Sequence, residues 1–511
     1  MKRWVGGHDR SFVALFSLLA ISAWWFADTV ADPDLWGHIR FGKDIVRTGA
    51  IARLDRYSYR TAGQNWINHE WLVEVGFARL YDRDGAAGLI ICKVAIGLVI
   101  VSLCFLHSRR GCLRPWFTTF FILWAIVPFR LGLGTVRPQM FTYLFFLVEL
   151  MVLERARRDD DRILWALPPL FAIWVNAHGG VLAGVGALVV WMVARAAMAL
   201  VPKAAAGENP GHFARSLGLL AACGLALCSN PYGPALLVFL LRTATVPRPE
   251  ITEWAPVDLA SVPGIFYLAL VVIGIAALFR TRRPINWASI AVLSSTAILP
   301  LFSNRHYPLF AIALLVTLSE HIGDALDRHF PRVAGSPARR YGLDAAALIV
   351  SLVFLAAALP RFQCIRIEPY YFAYPARAVA FLERSGVTGN LAVSFDWGEY
   401  ALWHLGPGVQ VSVDGRRETV YSDESYRESV AFEQGAERWQ ELLATGTTDL
   451  VLLPLQSPAT ALLKVARGWV AIYKDAYSVI FARADFAGIA TLVRTPVPSV
   501  VDDGRGLCFP D

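Results

Sequence analysis

About eleven apolar stretches separated by short, Arg-rich turns fill residues 11–360, and a far more polar segment follows them. That pattern leaves little choice of solvent. Apolar runs approaching about 20 residues can satisfy their backbone amides inside lipid only as helices. Composition agrees: 56% of the residues are hydrophobic and 17% charged, with a mean hydropathy of +0.46, against roughly 25% charged in a typical soluble domain. The expected architecture is a polytopic α-helical membrane domain over residues 1–360, including an exterior loop at 31–84, followed by an exterior α/β domain over 361–511.

Spans are expected near 11–30, 85–107, 115–132, 138–154, 163–176, 179–200, 213–229, 263–280, 286–302, 306–320 and 343–360. The run 233–241 is too short to cross and reads as an interfacial or re-entrant piece. The first run follows Lys2, Arg3 and Arg10 in the manner of a signal peptide. Trp24 and Trp25 occupy the place of the small residues that mark cleavage, so it reads as a retained span.

Basic residues fix the orientation. With a cytoplasmic N-terminus, one side receives Arg109, Arg110 and Arg114, then Arg155, Arg157, Arg158 and Arg162, then Arg195, Lys203 and Arg215. The same side receives Arg280, Arg282 and Arg283, and lastly Arg328, Arg332, Arg339 and Arg340. Positive loops lie on the cytoplasmic side, which supports eleven spans with the C-terminal domain on the exterior; the expected setting is a cell inner membrane, with that domain periplasmic or extracellular. Loop topology therefore accounts for the net charge of +7, and nothing calls for nucleic acid. The seven cysteines form no zinc-like cluster; Cys364 and Cys508 both fall in the exterior domain, where a bridge between them is chemically permitted.

The loop after the first span carries chemistry-bearing residues. Ala31-Asp32-Pro33-Asp34-Leu35-Trp36-Gly37-His38 sets two carboxylates one residue apart, with a proline stiffening the approach to a helix start. The same acids also suit the structural task of capping that helix. Farther on, Asn68-His69-Glu70-Trp71-Leu72-Val73-Glu74 puts Glu70 and Glu74 on one helical face. Val73 rules out the His-Glu-x-x-His zinc motif. Asp34, Asp32 and Glu70 are the candidate catalytic acids, with His38 and His69 beside them for substrate. Asp32 and Asp34 are the candidate ligands of a divalent cation, Mg2+ or Mn2+ by the carboxylate chemistry.

Other exterior turns add Arg130, Arg137-Pro138-Gln139, Asn176-Ala177-His178, and Ser303-Asn304-Arg305-His306. A guanidinium at the membrane surface forks onto a lipid phosphate, though it also serves in snorkelling or structural ion pairs. Arg305, Arg137 and His178 are the candidate donor contacts. Acids and arginines at one interface suit joining a lipid-held group to an acceptor hydroxyl: the cation neutralises a leaving phosphate while a carboxylate takes the proton. A polyprenyl-phosphate sugar has that divided character.

In the tail, 390–395, 409–413, 449–454, 469–474 and 478–483 read as strands, and 399–404 and 457–466 as helices. Neither GxGxxG nor GxxxxGK[ST] occurs, so no nucleotide cofactor is inferred. Asp32-Pro33-Asp34, Asp34-Leu35-Trp36-Gly37-His38-Ile39, the segment 66–72, Trp397-Gly398-Glu399-Tyr400 and Val413-Asp414-Gly415-Arg416 together resemble the GT-C class of membrane glycosyltransferases. That class includes protein mannosyltransferases, aminoarabinose transferases and oligosaccharyltransferases. The resemblance spans nearly the whole chain. It implies a GT-C-like helical bundle, a polyprenyl-phosphate sugar donor, a glycan, lipid or protein acceptor, and usually inverting transfer. Glu399 departs from the pattern, since many members carry a second glycine there. Trp397 is a candidate sugar-stacking residue and, equally, a core aromatic. Polar groups gathered on exterior turns favour such an enzyme over a transporter or flippase, which needs a polar route to the other face, and over a noncatalytic assembly or ligand-binding protein.

Overall fold

The structure is a computed structural model that describes residues 5–110, 113–158, 161–200, 210–244, 246, 252–329, 337–367, 374–444, 446–497 and 507–511. Of the basic turns, Lys203 and Arg332 lie outside the described residues. Two compact units emerge. One comprises Met1–Thr29 and Leu89–Gln363; the other, Val30–Gly88 and Cys364–Asp511. The exterior loop, which sequence reading groups with the spans, thus shares a unit with the tail.

The first unit is almost wholly helical. Among the described residues, six helices are long and apolar enough to cross a membrane: Arg10–Ala27, Trp71–Arg110, Val181–Met198, Val262–Arg280, Asn304–His329 and Tyr341–Phe362. Shorter apolar helices occupy Pro115–Phe129, Leu217–Leu227, Pro234–Thr243 and Trp287–Leu301. Each of the eleven expected spans coincides with helix, and the short run 233–241 is the ten-residue helix Pro234–Thr243. One helix changes character midway. Within Trp71–Arg110, Gly85 adopts φ 60° and ψ −149°, a conformation closed to most side chains. The chain turns there from a segment with charged residues to an apolar one. Small hydroxyls tie neighbouring helices together: Ser351 donates to Ser17 over 3.0 Å, and Ser108 pairs with Ser319 at 2.7 Å.

The second unit is built on a five-stranded mixed sheet. Its strands are β1 (Gly389–Val393), β2 (Val409–Val411), β3 (Leu450–Pro454), β4 (Trp469–Lys474) and β5 (Ser478–Arg483), in the order β2-β1-β3-β5-β4. β1 runs parallel to β2 and β3, whereas β5 is antiparallel to β3 and β4. Ala392, Val451, Leu453, Val479 and Phe481 from the sheet pack with Phe432, Leu442 and Leu463. Burial of these side chains is the main stabilising term.

The loop 30–88 is woven into this unit rather than laid over it. Ser58 bridges to Val411 beside β2, Val30 pairs with Arg366, and Arg366 pairs in turn with Cys508. A disulfide joins Cys364 to Cys508. The chain's last residues are thereby brought back to the loop: Trp36 donates its indole N–H to the Pro510 carbonyl at 3.0 Å, and its ring packs against Tyr374, Tyr400 and Phe509.

Candidate active site

In the second unit the acids of the Asp32-Pro33-Asp34 segment have different tasks. Asp32 is 3% exposed, and its Oδ1 accepts the backbone N–H of Asp34 at 3.1 Å. Asp32 therefore closes a local turn that leads into the helix Leu35–Thr48. Asp34 is half-buried, and its carboxylate makes no cap hydrogen bond. Its backbone is already helical, at φ −80° and ψ −9°, which turns the side chain away from the amides that a cap would reach.

Three glycines allow close approaches at Asp34, Glu399 and the Val413 carbonyl. A Cβ on Gly415 would lie 2.2 Å from Asp34 Oδ1 and 2.8 Å from Glu399 Oε1. A Cβ on Gly37 would lie 2.1 Å from Glu399 Oε2, and one on Gly398 only 2.2 Å from the Val413 carbonyl. A side chain at Gly37 or Gly415 would displace these carboxylates, and one at Gly398 would strike backbone. Glu399, the departure from the family pattern, is 3% exposed and accepts the Gly37 N–H at 3.0 Å. Burial, followed by the fields of Asp34 and Asp414, pushes its carboxyl well above the ordinary glutamate range.

One turn into the helix, His38 meets Glu74 at 3.4 Å and Glu70 at 3.8 Å. Burial alone would lower the His38 pKa. The hydrogen bond to Glu74 and the charges of Glu70, Glu74 and Asp34 outweigh it and raise the value to about 9. His69 lies 3.5 Å from Glu70, and Asn68 donates to Glu74. Among the described residues, His38, Glu70 and Glu74 form the set whose ligand atoms all lie within 4.8 Å of one another. Asp32 and Asp34 are not members of it. One imidazole and two carboxylates fit a divalent ion, and the nitrogen ligand favours Mn2+ or Zn2+ over Mg2+.

Asp414 and Arg416 belong to a buried ion cluster. Arg416 gives Nη1 to Asp55 at 2.6 Å and Nη2 to Asp414 at 2.7 Å, with Asp55 and Asp414 side chains 0% exposed. The guanidinium also lies over the rings of Phe41, Tyr57 and Trp66. Trp397 is 5% exposed.

In the first unit, Arg137 and Arg305 share a carboxylate that sequence reasoning did not single out. Glu253 lies 3.2 Å from Arg137 and 4.0 Å from Arg305, and Arg305 stacks 4.7 Å over the Trp254 ring. Arg305 also reaches Gln139 Oε1 at 3.5 Å, at the start of the helix Gln139–Arg158. His178 joins the same helix through Thr142, 2.9 Å from its Nδ1. Two guanidinium groups thus face one carboxylate beside the start of a helix, and a planar guanidinium fork suits a phosphate or carboxylate. Glu253 lies in a long stretch between helices with no motif around it, so only its residue type and expected side could have flagged it.

No family model matches the chain, and no curated protein matches it at a significant level. Solved structures do. The crystal structure of ArnT from Cupriavidus metallidurans bound to undecaprenyl phosphate aligns with a TM-score of 0.55 at 14% identity, covering 95% of this chain and 99% of that one. ArnT in the apo state aligns over the same shares at 14% identity with a TM-score of 0.51. The chain shares the fold of ArnT. Alignment over 95% of this chain takes in residues of both compact units, so the likeness in fold is not confined to the helical part. At 14% identity it concerns the path of the chain, and the chemistry has to be argued from the residues themselves.

Proposed function

We propose that this GT-C-fold protein transfers a sugar from a polyprenyl-phosphate donor to an acceptor hydroxyl at the exterior face of the inner membrane. Asp34 carries the proposal, because it is the one acid of the Asp32-Pro33-Asp34 segment that is partly open and has no capping bond. In the reaction, the acceptor oxygen attacks the anomeric carbon, its proton passes to Asp34, and the bond from that carbon to the phosphate oxygen breaks. Polyprenyl phosphate leaves with the electron pair, and a single displacement of this kind inverts the anomeric centre. Within the helical unit, Arg137, Arg305 and His178 are the residues proposed to take an anionic lipid phosphate; Asp32 closes the turn into the helix start. The ArnT structure with undecaprenyl phosphate supports this class of donor for the shared fold. Eleven spans with a cytoplasmic N-terminus and an exterior C-terminal domain complete the reading.

His38, Glu70 and Glu74 are the residues that would hold a metal ion, which would supply positive charge to the acid-rich site. The protein dialysed against Mn2+ and then desalted is expected to keep about one equivalent by elemental analysis, and Glu70→Gln/Glu74→Gln is expected to lose it. Wild-type protein that retains no ion after dialysis against Mn2+ or Zn2+ would remove the metal from the proposal.

The function is tested with purified protein in nanodiscs, undecaprenyl phosphate carrying radiolabelled hexoses or pentoses, and an envelope extract as acceptor. Label moving from the donor to acceptor material supports the reading. Vectorial movement of donor in sealed vesicles with no bond transfer would replace it with transport. On the active donor, Arg305→Ala is expected to raise the donor KM about 10- to 100-fold, the scale of one charged hydrogen bond removed. Arg305→Lys should fall between, since it keeps the charge and loses the fork. An unchanged donor saturation curve in Arg305→Ala would dismiss that contact.

A further inference from the structure

We propose that Glu399 is a positioning residue that caps the helix Leu35–Thr48 in place of Asp34, so that the cap does not hold the Asp34 carboxylate. The inference rests on the assignment of Asp34 as the base, but its structural half stands apart from it.

A helix exposes four N–H groups in its first turn, and an aspartate at the N-cap ordinarily takes the amide two or three residues on. From Asp34, the third residue on is Gly37. Here that amide is taken by Glu399 at 3.0 Å, a side chain 362 positions away, and Asp34 makes no cap bond. The amide of Asp34 itself is satisfied by Asp32 at 3.1 Å. The first-turn amide that would draw Asp34 inward is therefore taken by Glu399.

The packing is arranged for this exchange. Gly37 has no side chain, and any Cβ there would strike the Glu399 carboxyl. Gly415 lets Asp34 and Glu399 approach the same point from two sides. Gly398 sets the helix Gly398–Leu405, which carries Glu399, directly on the Val413 carbonyl, fixing how far the side chain reaches. A residue whose length is matched in this way acts by reach rather than by charge alone.

Reach and charge separate in two variants of the full-length protein. Glu399→Gln keeps the acceptor oxygen at the same distance and loses the charge. Glu399→Asp keeps the charge and falls one methylene short. Positioning requires Glu399→Asp to lose at least about tenfold in kcat with the donor KM within about twofold, and Glu399→Gln to turn over faster than Glu399→Asp. The reverse order would overturn the proposal, as would a wild-type kcat in Glu399→Asp. The capping half is read by amide hydrogen exchange at Gly37, using fragmentation that resolves single residues. Asp34→Ala should leave that exchange within about twofold of wild type, whereas Asp34→Ala/Glu399→Asp should speed it at least about tenfold. Acceleration in Asp34→Ala as large as in the double variant would mean that Asp34 is the cap, and the proposal fails. If wild-type protein transfers no sugar from any donor, the glycosyltransferase reading falls, while the exchange data still decide which acid caps the helix.

Discussion

Asp34→Asn is expected to lower kcat for transfer by at least about 100-fold with donor and acceptor saturating, the usual contribution of a positioned general base. The amide has nearly the shape of the carboxylate and removes its basicity. Because Asp34 makes no capping bond, the exchange should leave the helix start nearly unchanged. Asp32→Ala should behave differently. Losing its bond to the Asp34 amide removes the turn that leads into the helix, at a cost of about 0.5–1.5 kcal/mol in stability, the net worth of one hydrogen bond. The contrast separates chemistry from scaffold within one tripeptide. Asp34→Asn turning over at the wild-type rate would dismiss the base assignment and move attention to Glu70.

The legible parts of this protein are those recorded locally in the chain. Helical spans announce themselves through uninterrupted apolar runs, and the strands at 469–474 and 478–483 match the sequence reading residue for residue because a tight polar turn separates them. Helical spacing placed Glu70 and Glu74 on one face. It carried no information about His38, which reaches them from another helix. The same limit hid the pairing of Arg137 and Arg305 through Glu253, which is set by three separate turns. It also hid the union of the exterior loop with the tail, whose ties run from Gly37 to Glu399 and from Asp55 to Arg416. Long-range pairs of this kind leave no period in a single sequence. Glu399 was visible only as a misfit in a motif, and its carboxylate accepts a first-turn amide of the helix that follows Asp34.

Arg416→Gln is expected to destabilise the protein by about 3–5 kcal/mol, the range for leaving buried charge without its partner. Asp55 and Asp414 both have side chains 0% exposed, and Arg416 is the cation bonded to each. Tyr421 and Thr61 donate to these carboxylates, but neutral hydroxyls do not replace a guanidinium. Arg416→Lys should recover only part of the loss, since one ammonium has no planar fork to span both acids and stacks less well against Phe41, Tyr57 and Trp66. The dependence on pH has a definite sign. Burial would raise the Asp55 pKa, but the charge and hydrogen bond of Arg416 prevail and hold it below the usual aspartate value. The stabilisation is therefore present above the unfolded-state pKa of about 3.9 and is lost as pH falls through the lower folded value. Thermal unfolding of the full-length protein in detergent, followed by tryptophan fluorescence, should show a wide gap between wild type and Arg416→Gln at pH 7 that narrows below about pH 4. A wild-type midpoint for Arg416→Gln at pH 7 would show that the cluster is not what fastens the loop to the tail. With the predicted loss, the loop carrying Asp34 owes its placement to an ion cluster that spans 361 residues of sequence.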